Sequence, residues 1–253
     1  MGSGRPSTVR TALLTTTGAV LAITAMEAVG RTEVFGPGWP PLSHVLEEVR
    51  SPGRGALLGR AFAATARAAG TGLLTGSLIA LAVAVLGAAL PVLQPGLDRL
   101  AAVVNAIPLI ALGPLLFSTV GRDGSPAVIA ALACGFVVFV AAASGLSAAS
   151  PAHRDVLAAL GASRRTTLLR LQLPAAVPMV LDALTLAAPA AVLGAVVGEW
   201  FGASRGLGLL LVSSMQNYQT ELLWAAGLAA ALQSIAAYLL LGAVRAAVAW
   251  RFR

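Results

Sequence analysis

Side chains able to do chemistry are scarce in this sequence, and they fall into two groups. The first is a scatter of polar residues within long apolar runs: Asp182, Thr185, Glu199 and Gln233. An ionisable or amide group surrounded by hydrocarbon is costly to desolvate, so each is a candidate for lining a solute path or gate. For Asp182 a structural hydrogen bond outweighs solute contact, and Glu199 suits either a loop-backbone bond or an external partner. The second group is a polar island, DVLAALGASRRTTLLRLQLP, at residues 155–174, introduced by Arg154. It carries arginines and helix-capping residues rather than nucleophiles, so its chemistry is recognition.

What the chain lacks excludes several reaction classes. Its 17 basic residues are all arginines. Without lysine there is neither a Gly-Lys-Ser/Thr phosphate loop nor a Schiff-base lysine, so the chain does not itself hydrolyse ATP by that route. His44 and His153 stand far apart, and the lone Cys134 lies inside an apolar run. No metal-ligand spacing results, and no intrachain disulfide can form. The net charge of +7 does not point to nucleic acid, because the arginines end apolar runs instead of forming stripes interleaved with aromatics.

The elements that must position these groups are membrane helices. With 58% of residues hydrophobic and 11% charged, the chain carries more apolar surface than one soluble core hides, which makes it a polytopic all-α membrane protein. A helix needs about 20 apolar residues to cross a bilayer. Six runs qualify, near 11–30, 69–92, 100–120, 126–149, 176–198 and 222–248. The first is read as a retained helix rather than a cleaved signal. Pro108, Pro114 and Pro189 imply bends, and Gly70, Gly72 and Gly76 allow close helix approach.

Six spans place both termini on one side. Arg5 and Arg10, then Arg154, Arg164, Arg165 and Arg170, then Arg245, Arg251 and Arg253 mark that side as cytoplasmic, where basic residues concentrate. One transmembrane domain thus covers 1–253, with a cytoplasmic tail at 1–10, an outer interfacial segment at 31–68 and a cytoplasmic loop at 150–174. The outer segment departs from the charge rule, since it carries several arginines of its own up to Arg67. Its Pro/Gly turns lead into an amphipathic stretch around Leu42–Val49, and Trp39 fits the aromatic belt at the headgroups. Farther along, SSMQNYQTE at 213–221 is the densest uncharged hydrogen-bonding stretch on the outer side, a candidate gate or docking loop.

Within the island, Ser150 and Pro151 suit the start of a short helix, with Asp155 near that end complementing its dipole. Gly161 suits its left-handed stop, Ser163 caps a second helix and Pro174 closes it. Val156, Leu157 and Leu160 share one face of the first helix, displayed for a protein partner. Arg164 and Arg165 suit lipid headgroups equally well.

The order Asp155, Gly161, then Leu171-Gln172-Leu173-Pro174 resembles the cytoplasmic signature of permease subunits of binding-protein-dependent ABC importers, written EAA, three residues, G, nine residues, I-x-L-P. Asp155 stands in place of Glu, Val156-Leu157 in place of Ala-Ala, and Leu171 in place of Ile. NAIPLIALGPLLF is similar to a stretch of the nitrate, sulfonate and taurine subgroup, and VVGEWFGASRGLGLLL is similar to its outer segment after the fifth helix. The resemblance implies a type I importer permease. It would pair with a second permease copy or paralogue and with two ABC ATPase subunits that bind ATP, while this chain binds no cofactor. An external binding protein would deliver a small solute, either a sulfonate-, taurine- or nitrate-like anion or a pyrimidine vitamin precursor, across a bacterial cell membrane. The island becomes the coupling helix, with Arg154, Asp155, Val156, Leu157, Leu160, Gly161 and Ala162 toward the ATPase. An ATPase-independent transporter or channel is the alternative, but no inverted repeat is visible. A membrane-embedded enzyme would need a convergent catalytic cluster that the spans lack.

Overall fold

The computed structural model describes residues 8–249, with side chains from 14 to 248. The expectations placed on Arg5, Arg10, Arg251 and Arg253 lie outside the side chains so described. The chain forms α1 (Thr8–Thr32), α2 (Leu42–Arg50), α3 (Pro52–Ala89), α4 (Gln94–Ala106), α5 (Leu109–Thr119), α6 (Ser125–Ser147), α7 (Pro151–Ala159), α8 (Arg164–Thr167), α9 (Leu173–Glu199), α10 (Leu207–Gln216) and α11 (Thr220–Ala249).

Among the described residues, four helical runs are long and apolar enough to cross a membrane: α3, α6, Arg164–Glu199 and Thr220–Val248. A fifth results if α4 and α5 count as one bent span, against the six expected. The difference lies in the first and third runs. The first expected run, 11–30, begins outside the described side chains, and the described part of α1 packs chiefly on α2. The third run is not one straight helix, because α4 and α5 meet at 92°. Pro108 has no N–H to continue α4, and it holds Ile107 extended at φ −72° and ψ 123°.

The centre is α3, α6 and α9. A Cβ on Gly76 would lie 2.5 Å from the Ala131 carbonyl, and one on Gly194 would lie 2.8 Å from Ala130 Cα. Backbones therefore touch along this seam, and van der Waals contact replaces the hydrophobic drive that lipid cannot supply. Gly145 meets Ala176 at one end of the α6–α9 pair and Gly198 meets Pro126 at the other, so the two helices run antiparallel. The island lies at the first of these ends, and α10 lies at the second.

α3 begins at Pro52, well ahead of residue 69. Its 38 residues measure about 57 Å against a hydrocarbon core of about 30 Å, so its early turns stand clear of the bilayer. There Leu58 and Ala61 join Val45 of α2 with Leu207, Leu222, Ala225 and Ala226 in a second apolar cluster. Residues 52–68 are thus a helical extension of α3 packed on α10 and α11, and α2 forms where the amphipathic stretch predicts it. Trp39 stacks on Trp224 with centroids 4.6 Å apart, and the Trp224 indole donates to the Gly38 carbonyl at 3.0 Å.

Candidate functional site

The island is folded, and its punctuation follows the sequence with three corrections. Ser150 takes the extended N-cap backbone of α7, but its hydroxyl makes no capping bond. Asp155 lies beyond the first turn of α7, whose first turn carries no acid. Arg154 does the tethering instead. Its Nε donates to the Ala149 carbonyl at 3.1 Å, and Nη2 donates to Ala149 at 2.7 Å and to Ser147 at 2.7 Å. A guanidinium is suited to this because it presents several donors in one plane, here to carbonyls that the end of α6 leaves without helical partners.

At the far end of α7, Gly161 has φ +70°, its N–H reaches Ala158 at 3.0 Å and the next N–H reaches Leu157 at 2.9 Å. This is the paired-bond stop that a left-handed residue makes possible. The Ser163 hydroxyl then accepts from Thr166 N at 3.3 Å to cap α8. The third correction concerns Pro174, which does not end the second helix. A π turn at Leu168–Gln172 follows α8 and continues directly into α9, with Leu173 N bonded to Leu168 O. The wider turn makes room for a ring that lacks an N–H.

What α7 displays is apolar. Val156 is 57% exposed and Leu160 78%, while Leu157 and Ala162 are half-buried. No bundle helix packs closely along α7. Asp155 is exposed and has no partner among the described residues. Arg164, Arg165 and Arg170 are exposed beside this face.

The four polar candidates of the spans do not converge. Asp182 forms an ion pair with Arg245, tying α9 to α11. Thr185, one turn on, donates to the Leu181 carbonyl of its own helix at 3.0 Å. Gln233 is buried on α11, where its amide reaches the Phe62 carbonyl at 3.5 Å and its Oε1 has no partner.

Glu199 is buried to 1% exposure at the other end of the molecule. Its Oε2 accepts from Gly208 N at 2.7 Å and from Thr65 Oγ1 at 3.0 Å, and Thr65 in turn accepts from Leu207 N at 2.8 Å. Two residues from distant helices thus satisfy the first N–H groups of α10, and the carboxylate complements that helix terminus. Gly206 makes the arrangement possible, since a Cβ there would lie 2.1 Å from the Glu199 carboxyl carbon. Thr65 is a residue the sequence did not single out. The only signal was a hydroxyl on an otherwise apolar face of α3.

Residues 72–253 match the family described as binding-protein-dependent transport system inner membrane component. The chain is 37% identical over 123 residues to a "Probable ABC transporter permease protein" of Haemophilus influenzae, covering 48% of this chain and 50% of that one. It is 35% identical over 105 residues to the formylaminopyrimidine transport permease protein ThiX of Halalkalibacterium halodurans, covering 41% and 42%. The matches thus span about half the length of these curated relatives or less. In fold it is similar to a chain of the MetNI methionine ABC transporter in inward-facing form, with TM-score 0.66 and 18% identity over 78% of this chain and 99% of that one.

Proposed function

This chain belongs to the family of binding-protein-dependent transport system inner membrane components, the permease part of ABC importers, and we propose that α7 is its docking element for the ATPase. The observation that carries this is the exposed apolar face of α7, held rigidly to the end of α6 and continuous through α8 with α9. Val156 and Leu160 would each contribute about 1.5–3 kcal/mol if fully buried against a partner. Two ATPase subunits closing on ATP would push α7, and the attached α6 and α9 would tilt as rigid bodies to open the path to the opposite side.

The α7 end then faces the cytoplasm of a bacterial cell with both termini on that side, and the α10 end faces an external binding protein. A second permease copy or paralogue completes the path. The likeness to ThiX favours a small pyrimidine precursor as solute, with sulfonate-like anions the other class that the subgroup resemblance admits. Reconstitution in proteoliposomes tests the reading: an ATPase subunit should copurify, and its turnover and solute uptake should rise with binding protein. Solute flux with no ATPase in the vesicles would instead support the channel or secondary-transporter reading.

A further inference from the structure

The outer end carries arginines that the charge rule places on the other side of a membrane, and the fold gathers four of them. Arg60 and Arg67 are spaced one heptad apart on α3, so with Ala64 they form one stripe on its protruding half. The loops before α6 and before α10 bring Arg122 and Arg205 beside that stripe. Two adjoining cavities result. One, of about 410 Å³, is lined by Arg60, Arg67 and Arg205, and the other, of about 220 Å³, by Arg67, Arg122 and Arg205.

The acids nearby do not neutralise this basin. Asp123, which accepts from the Ser204 hydroxyl at 2.6 Å, and Glu199, which accepts from Thr65 and Gly208, line only the smaller cavity; the larger one is lined by three arginines and no acid. None of the four arginines forms a salt bridge among the described residues, and Arg122 lies over the Phe117 ring at 5.8 Å. Four clustered guanidinium groups outnumber the acids beside them and repel one another, and an anionic partner relieves that repulsion.

We propose that this basin receives an acidic patch of the external binding protein, a contact made through carboxylates rather than through apolar area. The proposal rests on the reading of the chain as an importer permease. Arg60 and Arg67 are about 10 Å apart along the axis of α3, and with Arg122 and Arg205 they spread positive charge over two adjoining cavities, an extended pattern that carboxylates spread on a protein surface match. The basin is concave and walled by three separate segments, unlike a headgroup-anchoring arginine that radiates from a helix into lipid. Such contacts steer encounter and set register more than they add affinity.

The test uses the whole complex of permease, ATPase and binding protein in proteoliposomes. For the wild type and for Arg60→Gln/Arg67→Gln/Arg205→Gln, one measures the binding-protein concentration giving half-maximal ATPase stimulation, across a salt series, with ATPase copurification as the control for assembly. The triple variant is expected to need about tenfold more binding protein and to show a flattened salt dependence. An unchanged half-maximal concentration and salt slope overturns the proposal. So does a defect seen in vesicles containing phosphatidylglycerol and absent from pure phosphatidylcholine, which assigns the arginines to headgroups. If no binding protein stimulates the wild-type complex, the transport reading itself fails, a result distinct from a stimulated wild type matched by its variant.

Discussion

Arg154 reaches back five residues and grips the Ala149 carbonyl with two nitrogens, Nε at 3.1 Å and Nη2 at 2.7 Å, while Nη2 also holds Ser147 at 2.7 Å. The clamp makes the turn from α6 into α7 stiff, so a displacement of α7 is passed to α6 rather than absorbed in the connection. Arg154 is therefore expected to act as a positioning residue, since its guanidinium is engaged by carbonyls of this chain. Charge-assisted bonds at a half-exposed site are worth about 1–2 kcal/mol in total. Arg154→Ala is expected to lower solute uptake per ATP hydrolysed several-fold while the ATPase still copurifies. Arg154→Lys should recover only part of the loss, because an ammonium cannot present the planar fork. Parallel uptake and hydrolysis measurements in proteoliposomes check this.

Gly161 supplies the left-handed stop of α7 at φ +70°, with open space where a Cβ would go. The constraint there is backbone conformation and not crowding. Asparagine tolerates this region better than other side chains, and proline cannot enter it. Gly161→Asn should retain most uptake, whereas Gly161→Pro, which also removes the N–H bonded to Ala158, should abolish it with membrane insertion intact.

At the outer end, Glu199 and Thr65 share one network with the start of α10. Glu199→Ala leaves the Gly208 N–H and the Thr65 hydroxyl unpaired in a buried site, at about 1–3 kcal/mol each. Thr65→Val should cost a similar amount, and the double variant should cost less than the sum of the two, because the residues act on one helix terminus. Thermal unfolding in detergent reads all three. Gly206→Ala is expected to be at least as damaging as Glu199→Ala, since its methyl would occupy the carboxylate's place.

The ion pair of Asp182 and Arg245 joins two helices that the transport reading places in the membrane. Removing one partner strands the other charge in apolar surroundings, which costs more than removing both. Arg245 or Asp182 changed alone to Ala should lower expression and Tm more than the Asp182→Ala/Arg245→Ala pair. A double variant worse than both singles would indicate that the carboxylate meets solute or proton as well.

Local signals carried the island far. Gly161, Ser163 and the apolar face of Val156 and Leu160 were legible because helix stops, caps and i,i+3/i+4 faces are properties of neighbouring residues. Three local readings failed, that of Asp155 because it lies beyond the first turn of α7. Ser150 makes no capping bond, and the connection is held instead by Arg154 through carbonyls before α7, while Pro174 was accommodated by a π turn instead of ending a helix. Glu199 suits either a loop-backbone bond or an external partner by sequence, and in the structure it bonds backbone of the first turn of α10 at Gly208. Its second partner, Thr65, is 134 residues away and depends on how α3 overlies α9, which no local pattern encodes. The bend at Pro108 was anticipated, and its 92° angle, which divides the expected third run into two short arms, is a detail that no local pattern encodes. The outer arginines showed in sequence only as an exception to the charge rule, and the fold turned that exception into a basin.

The central claim is that α7 meets the ATPase. Cys134 is buried, so a cysteine introduced at the 78%-exposed Leu160 is the reactive site available to a short bifunctional cross-linker. In the assembled complex Leu160→Cys should cross-link to the ATPase subunit, and Ser204→Cys, at the opposite end of the bundle, should not. Equal cross-linking from both positions, or none from Leu160→Cys in a complex that still hydrolyses ATP in response to binding protein, would contradict it.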